Sequence, residues 1–157
     1  MIAPLAYRAT LVVAVLVALA VGAMAWRRRP KPGAIPLVVN MGAVTVWLLA
    51  TLLSWSTVDP AAMMVWRKVT YVGIAVGIPA LFVFALEYAG LEELVSWRLL
   101  GLLAVPAVLT NLLVWTNPAH GLVWATATTP GTPATFEYGP AFWGVVAYSY
   151  LLVVGAV

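Results

Sequence analysis

Charged residues fall in short groups along this chain, and long apolar runs lie between them. The clearest run is WRKVTYVGIAVGIPALFVFALEYAG, from Trp66 to Gly90, with Arg67 and Lys68 closing one end and Glu87 the other. Its uncharged middle, Val69 to Leu86, is long enough at ~1.5 Å per residue to cross most of a hydrocarbon core of ~30 Å. Ionisable groups at both mouths and none between suit lipid, because an unpaired charge at the bilayer centre is costly. Gly73 and Gly77, four apart, share a helix face and invite a neighbouring helix to approach closely. Pro79 follows half a turn later and predicts a kink or a freed carbonyl. Ordinary membrane-helix packing accounts for all three residues; a bend that moves with a signal is the sharper reading.

The same pattern predicts five spans, at about 5–26, 36–55, 64–86, 99–115 and 141–157, and hence an all-α polytopic transmembrane bundle forming one domain over 1–157. In the first, Ala23-Met24-Ala25 imitates the end of a cleaved signal peptide. However, Arg27, Arg28, Arg29 and Lys31 follow it, against only Arg8 and the amino terminus before it. That is a stop-transfer arrangement and predicts an uncleaved span with its N-terminus outside. Ala14, Ala18 and Gly22 form a stripe of small residues there. Pro36 suits the first turn of the second span, where Asn40, Thr45 and Thr51 are expected to form interhelical hydrogen bonds. Asp59-Pro60 marks a tight outer turn, with Asp59 capping the third helix or pairing with Arg67 or Lys68. An inner loop through Glu92 and Glu93 leads to Trp97-Arg98. Five basic residues then lie inside (Arg27, Arg28, Arg29, Lys31, Arg98) and three outside (Arg8, Arg67, Lys68). Pro106 and Asn111 in the fourth span predict a locally opened backbone.

Thr116 to Pro140 reads as the one long outer loop. Leu122 to Thr126 and Ala134 to Tyr138 are rich in strand-formers and separated by a turn region around Pro130-Gly131, which predicts a small β-hairpin over the outer mouth of the bundle. Trp115, Trp124, Phe136, Tyr138 and Trp143 suit either an interfacial aromatic belt or ligand contact. His120 stands in Thr116-Asn117-Pro118-Ala119-His120-Gly121, just beyond the fourth span, where Asx-Pro chemistry points first to a turn and then to ligand or pH sensing. Glu137 on the same loop is a potential partner for it. The final segment stays apolar to Val157 without a basic stop, so continuation into a longer protein is expected.

Composition agrees with a membrane protein. Of 157 residues, 64% are hydrophobic and 8% charged, and the mean hydropathy is +1.04; a water-soluble surface needs far more charge. The net charge of +3 resides at span ends, so it reads as topology and lipid-headgroup signal, with no nucleic-acid partner implied. The absence of cysteine removes disulfides, thiolate metal sites and cysteine nucleophiles. One histidine makes no zinc site, and neither HExxH nor a phosphate-binding glycine loop occurs. No metal, cofactor or catalytic constellation is expected. The lack of ionisable residues at lipid depth also counts against proton relays and ion-coupled transport.

Three passages resemble a known family. They are Trp66-Arg67-Lys68 with Tyr71-Val72-Gly73 and Phe84 to Gly90; Thr116-Asn117-Pro118-Ala119-His120-Gly121-Leu122-Val123-Trp124; and Tyr138-Gly139-Pro140-Ala141-Phe142-Trp143 leading to Tyr148-Ser149-Tyr150. In order and spacing they are similar to the seven-transmembrane N-terminal sensor region of bacterial and archaeal histidine kinases, five of whose seven spans this chain would hold. The resemblance implies an extracytoplasmic N-terminus in the cell membrane and a homodimer. It also implies cytoplasmic dimerisation and kinase modules beyond this chain, and a response regulator downstream. The reading is therefore a membrane-embedded signal-input module for an unknown small-molecule or membrane stimulus. Asn117, His120, Trp124 and Glu137 are the ligand-sensing candidates, and Glu87 and Tyr88 the signal-relay candidates. A small-molecule transporter or channel bundle is the alternative; it calls for polar groups facing a midplane cavity, which these spans lack. A retinal photoreceptor would need a mid-span lysine, also absent.

Overall fold

The computed structural model describes residues 5–127 and 135–156. The expected Pro130-Gly131 turn and the Phe136 side chain lie outside what is described. Five helices run α1 (Leu5–Arg27), α2 (Ala34–Ser56), α3 (Pro60–Tyr88), α4 (Trp97–His120) and α5 (Pro140–Gly155), with a short 3-10 turn at Glu92–Leu94 before α4. Strands β1 (Trp124–Ala127) and β2 (Thr135–Tyr138) pair antiparallel between α4 and α5. The first four helices are long and apolar enough to cross a membrane; α5 is a shorter apolar helix.

Local chemistry sets the ends. Asp59 caps α3, its Oδ2 accepting the Ala62 N–H at 2.8 Å, the first of the two roles the sequence allowed it. Ser96 caps α4 by accepting from Leu99 N–H at 3.3 Å. Gly121, at φ +63°, closes α4 with its N–H on the Asn117 carbonyl, a left-handed stop that suits glycine. The fourth helix thus runs through Pro118 to His120, and the turn expected over 116–121 shrinks to its last residue. Proline before the final turn removes one donor but does not end the helix, because Asn117 is fixed from outside by the hairpin.

The bundle is inside-out by the standard of a water-soluble protein. Large side chains such as Leu16, Leu102 and Leu151 are exposed, whereas Ala18, Ala43, Ala50 and Ala80 are buried. With lipid as solvent there is little gain in burying leucine between helices, so close packing of small residues decides the contacts. The most extensive contact is α2 against α3. A Cβ added to Gly73 would lie 2.6 Å from the Ala43 carbonyl oxygen and 2.7 Å from the Trp47 nitrogen, so the two backbones touch. One turn on, Gly77 faces Ala43 at an ordinary 3.5 Å. There the buried Asn40 donates from Nδ2 to the Gly77 carbonyl at 2.7 Å, the interhelical bond the sequence suggested. Thr45 and Thr51 instead donate to Met41 and Trp47 carbonyls of their own helix. A threonine hydroxyl reaches the carbonyl four residues back without help from a neighbour.

Elsewhere the packing loosens. Gly22 of α1 approaches the Met41 side chain of α2, and α5 touches α3 through Gly155 and Phe82. Tyr148 of α5 donates to the Leu103 carbonyl of α4 at 3.1 Å. An apolar groove of about 460 Å³ separates α2, α3 and α4 around Pro79 and Leu103.

Candidate functional site

The end of the bundle that carries the hairpin is the most elaborately built part of the molecule. Val114, Val123 and Trp124 are buried there, packed by Met64, Tyr71, Leu113, Ala141 and Phe142. Gly139 and Ala141 N–H groups donate to the Val123 and Leu122 carbonyls, both at 3.0 Å, which ties the start of α5 to the start of the hairpin. A side chain at Gly139 would run into the Leu122 carbonyl, so this join needs glycine.

Asn117 organises the junction. Its Nδ2 donates to the Trp124 carbonyl at 2.8 Å, and its Oδ1 accepts from Val123 N–H at 2.9 Å and Trp124 N–H at 3.3 Å. The residue is 6% exposed, and both arms of its amide are occupied by the approach to β1 and its first residue. His120 sits one turn further on. Leu122 N–H donates to its Nδ1 at 3.0 Å, so the proton of the neutral ring resides on Nε2. Nε2–H then donates to Thr116 Oγ1 at 3.1 Å, and that hydroxyl donates to the Leu112 carbonyl at 2.6 Å. His120 is engaged by α4 and the turn after it, and the expected pairing with Glu137 is not formed.

Register separates the other two candidates. Trp124 stands opposite Tyr138, and Ala125 opposite Glu137; directly opposed residues share a face and neighbours along a strand alternate. Trp124 and Tyr138 therefore face the bundle, while Glu137 is exposed on the other side. The four predicted residues come to one neighbourhood, but three of them hold or decorate the hairpin; Asn117 and Trp124 together line a cavity beside Lys68, and Trp124 also lines a second one.

That cavity, of about 200 Å³, lies beneath the hairpin. Helix α2 contributes Thr51, Ser54 and Trp55, and α3 contributes Arg67, Thr70 and Tyr71. Trp124 and Tyr138 complete it. Tyr71 and Trp124 rings stand 5.4 Å apart at 37°, and Tyr138 stacks on Phe142 at 4.0 Å. Thr51 and Thr70 hydroxyls bond carbonyls of their own helices, but Ser54 Oγ and Tyr71 Oη make no hydrogen bond to any described residue. Ser54 is only 6% exposed as a residue, and it lines the cavity. Neighbouring Lys68 turns away, donating to the Trp115 carbonyl at 3.3 Å. The signal for this pocket was in the sequence: Thr51/Ser54/Trp55 and Arg67/Thr70/Tyr71 each follow i, i+3, i+4 spacing on either side of the Asp59-Pro60 turn, which brings two matched faces together.

At the opposite end, Glu87 makes a single directed contact. Its Oε2 accepts the Gly33 N–H at 2.7 Å, joining the last turn of α3 to the basic loop before α2. Gly33 has φ +79°, and a Cβ there would meet Phe84 at 3.1 Å. Tyr88 is exposed and stacks on Phe84 with centroids 5.6 Å apart.

Apolar helices with lipid-facing leucines, close small-residue contacts and a polar aromatic pocket at one end define a multi-pass α-helical membrane protein. It belongs to the family described as the N-terminal 7TM region of histidine kinase, whose family model matches residues 10–157. The chain is thus the membrane sensor region of a histidine kinase. No curated protein and no solved structure matches it. Part of each of the three passages that carried the resemblance meets at the hairpin end, where Arg67 and Tyr71, Trp124, and Tyr138 line one cavity, while Phe84 to Gly90 lies at the other end of α3.

Proposed function

We propose that the hairpin end is extracytoplasmic and receives the stimulus, and that α2 and α3 carry the result to the basic-loop end, where cytoplasmic kinase modules would read it. The supporting observation is continuity. The pocket is walled by the third and fourth turns of α3 and the last turns of α2, these two helices are locked backbone to backbone at Gly73, and their far ends are joined by Glu87 and Gly33. A ligand or bilayer change that favours one arrangement of this pair shifts its population by the difference in affinity between states. In this scheme Trp124 contacts the stimulus, Asn117 and His120 keep the hairpin seated, and Glu137 stays on the solvent side. Glu87 is the relay contact and Tyr88 its aromatic neighbour. Five basic residues at the Glu87 end against three at the other support the orientation.

Stimulus-dependent autophosphorylation of the intact kinase tests the scheme. Trp124→Ala should blunt the dose response, and Glu87→Ala should uncouple output from stimulus while leaving the protein folded. An unaltered dose response in both variants would sink this reading. The same assay on His120→Ala and Glu137→Ala, read against dose and pH, decides whether either residue senses or only supports.

A further inference from the structure

We infer that the cavity beneath the hairpin is a binding site for a small aromatic carboxylate, held by Arg67, Ser54 and Tyr71 and flanked by Trp55, Trp124 and Tyr138. This deepens the sensor reading, and it rests on that reading only for what binding would cause.

The chemistry of the wall selects the ligand. Among the described residues Arg67 is the one charged residue lining the cavity, and a guanidinium carries five N–H donors in a fork that matches a carboxylate, enough to serve a ligand alongside a contact within the protein. Ser54 Oγ and Tyr71 Oη add two donors that no described residue uses. Ser54 is more than nine-tenths buried and lines the cavity, so a hydrogen bond it made to a ligand would be largely shielded from water. The acidic residue closest in sequence to the lining, Glu137, projects from the opposite face of the hairpin, and Asp59 is engaged as the cap of α3. The other walls are indole and phenol rings, which favour a flat partner through offset or edge contacts. A volume of about 200 Å³ falls below the ~300–1,000 Å³ usual for drug-sized ligands, which limits the occupant to roughly a single ring with its acid group.

Binding is tested with radiolabelled benzoate by equilibrium dialysis against the intact protein in a neutral detergent. Benzyl alcohol (ring without charge) and acetate (charge without ring) serve as competitors. Saturable benzoate binding is expected, with each competitor weaker by about tenfold or more, the worth of one charge-assisted hydrogen bond or one buried ring. Arg67→Gln should weaken benzoate by a similar factor. Ser54→Ala should weaken it several-fold without loss of thermal stability, because Ser54 has no intramolecular bond to lose; this variant keeps the test sharp if Arg67→Gln folds poorly. Absence of saturable binding in the millimolar range, equal competition by benzyl alcohol, or wild-type affinity in Ser54→Ala and Tyr71→Phe would each overturn the proposed ligand class. Benzoate that binds as expected yet leaves autophosphorylation unchanged would instead overturn the input role and leave the site standing.

Discussion

Asn117 shows how one side chain can stand in for a longer piece of structure. The approach to a strand that starts four residues after a helix ends would leave two N–H groups and a carbonyl without ladder partners. The buried amide supplies all three. Replacing it by alanine strands those groups, so Asn117→Ala should lower stability by about 2–4 kcal/mol. Asn117→Asp keeps the acceptor for Val123 and Trp124 and, when protonated at acid pH, a donor to the Trp124 carbonyl, so at acid pH it should cost less than the alanine. Thermal unfolding of the two variants in detergent at acid pH checks the order; equal losses would count against this assignment. His120 does a lesser version of the same job at an exposed position, so His120→Ala should cost about 0.5–1 kcal/mol.

At the scale of elements, the two glycines of α3 look equivalent in sequence and are not. Gly73 meets backbone atoms of α2 within 2.8 Å of where a Cβ would stand, while Gly77 has an ordinary contact at 3.5 Å. Gly77→Ala should therefore be nearly neutral, whereas Gly73→Ala must push α2 and α3 apart at about 1–3 kcal/mol, the usual range for overpacking. Unfolding midpoints of the pair decide the matter, and similar values would show that the helices do not lock at Gly73. The Asn40 bond to the Gly77 carbonyl is worth only about 0.6 kcal/mol, the average for such bonds in membrane proteins. Asn40→Leu should thus be milder than Gly73→Ala. The helix pair owes its rigidity to shape more than to polar contacts. That is what a relay requires, since two rods in backbone contact shift together more readily than they slide.

For the molecule as a whole, the orientation in the membrane is the prediction that matters most. The chain has no cysteine, so single cysteines report position without background. Ala125→Cys on the exposed face of the hairpin should react with an impermeant maleimide in intact cells, and Arg28→Cys should react only after lysis. The reverse pattern would place the pocket in the cytoplasm and end the proposal of an external stimulus. The length of α3, 29 residues or about 43 Å at the helical rise, exceeds a hydrocarbon core of ~30 Å. Arg67 and Lys68, in its third turn, can thus stand at the interface while Glu87 reaches the other side.

The apolar runs, their charged flanks and the glycine spacing already stated that lipid surrounds a bundle of helices, because the absence of charge over a bilayer thickness is a property of sequence alone. The strand-forming runs around residues 122–138 likewise announced a hairpin. Which of the polar residues would meet was another matter. Asn117, His120 and Glu137 were singled out by type and neighbourhood, yet their roles depend on which backbone groups lie within 3 Å and which face of a two-residue alternation turns inward. Arg67 and Ser54 were overlooked as partners because they lie on different helices, and only folding the Asp59-Pro60 turn brings their faces together. Sequence thus determined the solvent and the elements, through composition and period. Tertiary structure decided the site, because hydrogen bonds and cavities are set by distances between segments that no local pattern encodes.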